Sequence, residues 1–405
     1  MAAIAAVSAG GGVARAPVLG VVSAQSSARL VWLDPLTLRP TGSRSVKVST
    51  FAYWDRSPSG SRVVMGGRDG TLWFVDAVKL KAAGSVRLPG FDDPQLAWVS
   101  SRALLVVDQA SIALVDPAAM RVRWRKTLPE AVRPFLPGRA ARTPSGLVFL
   151  VPPFDGSVGA TTLVSADVSG RVRSVVLAQI PAGAQDPTGT SLFSGSEPGL
   201  AVDPTGNTAY VVVGDGTVAA VDLRTLAVSY HHPTRALAHA DKVLAGPTRE
   251  AVWLGNGLLA VTGENGNAWF DSQKAYQETE APAGLTIVDT RNWTTRIVDP
   301  GTSSVTFAGG LLLAADESWD TTTGSSMLKP LGNGLSAYAT TGAPAFHTLG
   351  KLPVQQVFVA NGIAYAVGPA TTSVVDLASG SVLKTIASAH PASAPAPLVE
   401  LPRGA

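Results

Sequence analysis

Short apolar runs alternate with turn residues along the whole chain, and they recur in a fixed order. Two to four apolar residues end on Asp, the chain turns, and a second apolar run follows. Leu30-Val31-Trp32-Leu33-Asp34 is the first such copy. It returns as Leu72-Trp73-Phe74-Val75-Asp76 and Ile112-Ala113-Leu114-Val115-Asp116, then at 163–167, 218–222 and 285–289. The last copy is Ser373-Val374-Val375-Asp376, and a degenerate one at 335–339 carries Ala339 in place of Asp. The eight copies from Asp34 to Asp376 lie about 49 residues apart on average, the scale of a structural repeat. Ahead of the copies lie apolar hairpins. Phe51-Ala52-Tyr53-Trp54 turns through Ser57-Pro58-Ser59-Gly60 into Arg62-Val63-Val64-Met65, and Val357-Phe358-Val359 turns at Asn361-Gly362 into Ala364-Tyr365-Ala366-Val367. Such turn residues preset the backbone that strand twist requires. Each unit therefore reads as four strands, a to d, and no helical period of useful length interrupts them.

Four strands per unit at this period predict an all-β chain folded as a β-propeller. Eight blades are expected. Seven result if the copy at 335–339 or the unit around Thr161 is not a blade. The first unit has one upstream strand only, Val18-Leu19-Gly20-Val21-Val22. Its missing strand a is expected from Leu398-Val399-Glu400-Leu401, so that strands from both termini close the ring and leave no free sheet edge. Residues 17–405 then form one propeller domain, with 387–397 a Pro/Ala linker to the closing strand. Residues 1–16 read as a signal-peptide remnant or a disordered N-terminus, with Ala14-Arg15-Ala16 similar to a small-x-small cleavage site. A secreted, periplasmic or cell-envelope location is expected on that ground.

The stretch Leu200-Ala201-Val202-Asp203-Pro204-Thr205-Gly206, running on through Tyr210-Val211-Val212-Val213 to Asp222, resembles the YVTN type of propeller repeat. Ile112-Ala113-Leu114-Val115-Asp116 with Arg123-Trp124 resembles the PQQ-like repeat. The resemblance covers most of residues 17–387. It implies architecture and leaves activity open, since such repeats host binding scaffolds, lactonases, lyases and quinoproteins.

Composition narrows the classes further. Charged residues are 15% of the 405, against roughly 25% in an average soluble domain, and hydrophobic residues are 46%. This is too apolar for a disordered chain. The absence of cysteine excludes disulfides, thiol chemistry and Cys-based zinc sites. A net charge of +3 argues against a nucleic-acid partner, and no run of apolar residues is long enough for a transmembrane helix. No nucleophile elbow, zinc-binding helix or phosphate loop is present.

The long segments all fall in b–c or d–a positions, which share one face of a propeller. Residues 262–282 carry Glu264, Trp269, Asp271 and Tyr276; residues 316–333 carry Asp316, Glu317, Trp319 and Asp320; residues 231–249 carry His231 and His239. Carboxylates beside aromatic rings suit a polar ligand or a cation, and the histidines suit a base or ligand role. These ten are the candidate ligand-binding residues. No cofactor is expected, calcium or a quinone being the alternatives. The recurrent Asp column is read as turn caps, and Trp32, Trp73, Trp98, Trp124 and Trp253 as packing. The expected function is a monomeric, non-catalytic scaffold for a protein or small polar ligand. The alternative is a propeller enzyme (lactonase, lyase or quinone-dependent dehydrogenase) with its site at the channel entrance.

Overall fold

A computed structural model describes residues 16–387 apart from 25–26, 49–50, 68, 92–93, 109–110, 129–139, 154–158, 185–194, 206, 234–246, 271–275, 317–318, 321–328 and 331. Every regular element among the described residues is a strand. They form eight antiparallel sheets, one for each repeat. Blade 1 comprises Val18–Ala24, Ser27–Leu33 and Pro40–Val48. Its expected fourth strand, residues 398–401, lies outside the described residues, as does most of the 387–397 linker. Blade 2 runs Phe51–Arg56, Arg62–Gly67, Thr71–Asp76 and Lys81–Arg87. Blade 3 is Gln95–Ser100, Ala103–Asp108, Ser111–Asp116 and Arg121–Thr127. Blade 4 is Ala140–Thr143, Gly146–Val151, Gly159–Asp167 and the long Val172–Ala184. Blade 5 is Gly199–Val202, Thr208–Val212, Val218–Asp222 and Val228–His231. Blade 6 is Pro247–Gly255, Leu258–Phe270, Leu285–Asp289 and Thr294–Asp299. Blade 7 is Ser304–Ala308, Leu311–Ala315, Leu335–Ala339 and Pro344–Thr348. Blade 8 is Gln356–Ala360, Ile363–Val367, Thr371–Asp376 and Val382–Ala387. Both the degenerate copy and the unit around Thr161 are blades, so the count is eight.

The core is divided into eight apolar clusters, one at each junction between neighbouring blades. Leu104, Val106 and Trp98 of blade 3 pack on Phe74 and Leu72 of blade 2, and the same pattern continues round the disc. The last cluster joins Val18, Val31 and Leu33 of blade 1 to Ile363, Tyr365 and Val374 of blade 8. The Tyr365 hydroxyl donates to the Pro35 carbonyl across that junction at 3.0 Å. The ring is therefore closed by side-chain packing between its first and last blades. Strand b is buried along its whole length in blades 3, 4 and 8, whereas strand d is largely exposed in blades 2 and 8. This follows from sheets covered by blades on both sides and wet only at the rim.

The Asp column caps the c–d turns. Asp34 Oδ1 accepts the Thr37 N–H at 2.7 Å, Asp222 Oδ1 accepts Arg224 and Thr225 N–H, and Asp376 Oδ1 accepts the Ser379 N–H at 3.0 Å. Four residues on, the chain takes a left-handed backbone at Leu38, Leu80, Met120, Leu226, Trp293 and Gly380. That conformation disfavours side chains, yet five of the six have one, and each packs into a cluster between blades. Where blade 7 has Ala339, the turn is one residue shorter and its positive-φ position is Gly342.

Around the rim, strand d of one blade lies over the c–d turn of the next. The Trp124 indole of blade 3 donates to Val168 O at 3.1 Å in blade 4. The Arg173 guanidinium of blade 4 donates to Arg224 O of blade 5 at 2.6 Å, and that of Arg296 in blade 6 to Thr341 O of blade 7 at 2.6 Å. Nearer the axis, Arg142 of blade 4 reaches past blade 3 to pair with Asp55 of blade 2, whose Oδ2 also accepts the Trp98 N–H at 2.8 Å. Burial pushes the Asp55 carboxyl up, against the lowering pull of Arg142.

Candidate functional site

Strand b of blade 6 continues well beyond the ring. Leu258–Phe270 spans 13 residues, against six or fewer in the b strands of blades 2, 3, 4, 5, 7 and 8. The crossing from ring to extension is at Gly263, with φ +143°, where a Cβ would run into the Thr248 carbonyl. Only glycine fits both the backbone and the space. Beyond it the strand pairs with a further strand, Tyr276–Pro282, in seven registered pairs from Glu264 opposite Pro282 to Phe270 opposite Tyr276. The segment 262–282, read from sequence as a loop, is therefore an antiparallel hairpin among its described residues.

The second acidic-aromatic segment joins it. Asp320 of the blade 7 insertion bridges to Thr279 of the hairpin, and Trp319–Asp320 pairs onward with Lys329–Pro330. The two insertions that sequence singled out thus meet in one backbone-bonded sheet. It is anchored below by Thr262, whose hydroxyl donates to Thr302 O at 3.2 Å, and by the Ala283 N–H to Gly263 O at 2.8 Å.

The candidate side chains divide into three groups. Glu264 stands at the base of the hairpin, its N–H donating to Thr248 Oγ1 at 3.3 Å. Asp316 is 2% exposed; its Oδ2 accepts the Asn333 amide at 2.9 Å, and the same Nδ2 donates to Gly301 O. This carboxylate fastens the return of the blade 7 insertion. Trp269, Tyr276, Trp319 and Asp320 have their backbones in the extended sheet. Asp271, Glu317 and His239 lie outside the described residues. His231 sits elsewhere, on strand d of blade 5. Its ring stacks on Trp293 of blade 6 with centroids 3.6 Å apart, and Ser229 Oγ is 3.0 Å from Nε2. Burial, and then the neighbouring His232, holds its imidazole below the ordinary value. Trp293 in turn neighbours Tyr210, which stacks on Trp253 at 5.2 Å. His231 therefore ends an aromatic row between blades 5 and 6. Among the described residues no three His, Asp or Glu side chains gather as metal ligands.

Sequence reasoning passed over Arg249. It lies on strand a of blade 6, at the end nearest the insertions, and is 1% exposed, the one buried cation among the described residues. Nη1 donates to Thr248 O and Glu264 O at 2.7 and 3.1 Å; Nη2 donates to Gly214 O and Asn265 Oδ1 at 3.1 and 3.0 Å. Burial pulls its pKa down to about 10, with the charge of Asp215 acting the other way. The available signal was weak: an Arg entering an apolar strand, Arg249-Glu250-Ala251-Val252-Trp253.

No protein-family model and no curated protein sequence matches the chain. Solved structures do match in fold. One is the dihydro-heme d1 dehydrogenase NirN in complex with DHE, with TM-score 0.54 and 14% identity over 91% of this chain and 73% of that one. Another is apo AztD from Citrobacter koseri, with TM-score 0.50 and 13% identity over 94% and 96% of the two chains. At these identities the likeness is one of fold, and the chain is an eight-bladed β-propeller of the architecture they share.

Proposed function

We propose that the chain is a non-catalytic binding scaffold of the cell envelope or exterior, which seats a protein or small polar ligand on the face bearing the b–c and d–a insertions. The observation that carries this reading is the joining of the two insertions, from different blades, into one hydrogen-bonded sheet. A rigid ring holding built insertions on one face is the usual arrangement for recognition. NirN, solved in complex with DHE, gives a precedent for a ligand on this fold. The aromatic and acidic residues of the sheet (Trp269, Tyr276, Trp319, Asp320) and Glu264 at its base are the residues assigned to contact.

The test is a thermal-unfolding screen of the full chain and of a variant in which residues 266–280 are replaced by a two-residue Asn-Gly turn. The probes are calcium against EDTA, pyrroloquinoline quinone, sugars and lactones. A ligand at 100 times its Kd stabilises by about 2.7 kcal/mol. The reading expects a stabilising probe to lose its effect in the shortened variant, with no lactone hydrolysed and no quinone-dependent dye reduced. Turnover by the full chain, or stabilisation that survives the shortening, contradicts it.

A further inference from the structure

We infer that Arg249 is a positioning residue whose side chain locks the base of the blade 6 hairpin to the b–c turn of blade 5, making one rigid platform of the loop face. Its side chain touches three separate pieces of backbone: strand a of blade 6 at Thr248, the b–c turn of blade 5 at Gly214, and the base of the blade 6 hairpin at Glu264 and Asn265. Its main chain adds a fourth. The Arg249 N–H donates to Glu197 O at 2.8 Å, and the Glu197 N–H donates to Pro247 O at 3.0 Å. Glu197 directly follows Gly195–Ser196, which pairs with Gly183 and Ala184 at the far end of blade 4's long outer strand. Segments of blades 4, 5 and 6 therefore meet at one residue, that of blade 4 through its main chain.

The chemistry of that residue argues for the role. Taking a guanidinium out of water costs several kcal/mol, and all four of its side-chain bonds go to uncharged oxygens. Asp215, the acidic group whose field it feels, instead caps the Thr217 N–H at 2.8 Å. An apolar side chain would fill the space without the desolvation cost. What only arginine supplies is a planar fork of five donors in fixed directions, able to hold several acceptors at once. A lysine ammonium radiates three donors from a point and cannot span the same set. The platform is thus ordered before any partner arrives, which removes an ordering cost from binding. That consequence rests on the proposed function; the positioning role does not.

Hydrogen exchange of the full chain, read by mass spectrometry without any ligand, tests it. In Arg249→Met, amides of 214–217, 263–270 and 276–282 are expected to exchange about 5- to 150-fold faster, the range for leaving buried acceptors unpaired. The strands of blades 2, 3 and 8 keep their protection. Arg249→Lys gives the same local loss. Asn265→Ala withdraws one acceptor while leaving the charge in place, so it tests the same lock should the arginine variants fail to fold; a smaller loss confined to the hairpin is expected. A uniform rise in all blades, full protection in Arg249→Lys, or no change in any variant overturns the inference. Because no ligand is used, loss of local protection with no partner ever found would sink the binding reading alone.

Discussion

At seven of the eight c–d turns one carboxylate satisfies groups that the backbone cannot satisfy alone, since the reversal leaves N–H groups without strand partners. Asp376→Ala is expected to cost about 1 kcal/mol, measured by urea unfolding. The same caps set the acid limb of stability. Asp34, Asp116, Asp222 and Asp289 are held below the ordinary carboxylate range, chiefly by Thr37, Arg123, Thr225 and Arg291 respectively. At Asp167 burial pushes upward, and bonds from Ser169 and Arg171 outweigh it. A depressed folded pKa gives stability that is present above the unfolded value of about 3.9 and lost as pH falls through the folded one. The melting temperature should therefore fall as pH drops below about 4. Asp55 runs the other way. Its raised pKa means that charging it costs the folded state as pH rises through that value. Asp55→Asn leaves one acceptor oxygen for the Arg142 guanidinium and the Trp98 N–H, and Asp55→Ala leaves none; each is expected to lose about 1–3 kcal/mol, the Ala variant more. The Asp column was legible because a cap acts on residues two and three places away. Arg249 was not, because its partners come from positions 35 residues back and 16 ahead, which no local pattern records.

Among elements, the blades and the blade 6 hairpin obey different rules. Inner blade strands are covered on both faces, so their apolar runs announced them, including those of the degenerate blade 7, whose shorter turn takes its positive φ at Gly342. The hairpin strands, Gly266-Asn267-Ala268-Trp269 against Gln277-Glu278-Thr279-Glu280, are polar and carry none of the apolar alternation that marks a strand. Their pairing comes from continuation of an existing ladder through Gly263. The length of the segment was visible; its order was not. Because the hairpin backbone runs on beyond the four-stranded blade through Gly263, shortening 266–280 is expected to leave the cooperative melt of the ring within about 1 kcal/mol of wild type. Trp98→Ala, inside the blade 2–3 cluster, is expected to cost about 3–5 kcal/mol. Differential scanning calorimetry separates the two. Gly263→Ala should resemble a core lesion, since it forces strand b away from strand a.

For the molecule as a whole, the blade 1–8 junction turns a row of repeats into a ring. An open array frays from its terminal blades, whereas a closed one has no terminal blade. Tyr365→Ala removes a fully buried ring and its bond to Pro35, and is expected to cost about 3–5 kcal/mol and to raise exchange in blades 1 and 8 together. On this frame the loop face is where, among the described residues, backbone from blades 6 and 7 builds outward in one sheet. A photo-activated benzophenone side chain placed at Ala281, exposed on the hairpin, and separately at Val176, 60% exposed on the outer strand of blade 4, tests whether that face is the binding surface. The account predicts a cross-linked adduct in cells from position 281 and none from 176. An adduct from 176 and none from 281 would place recognition on the rim and contradict it.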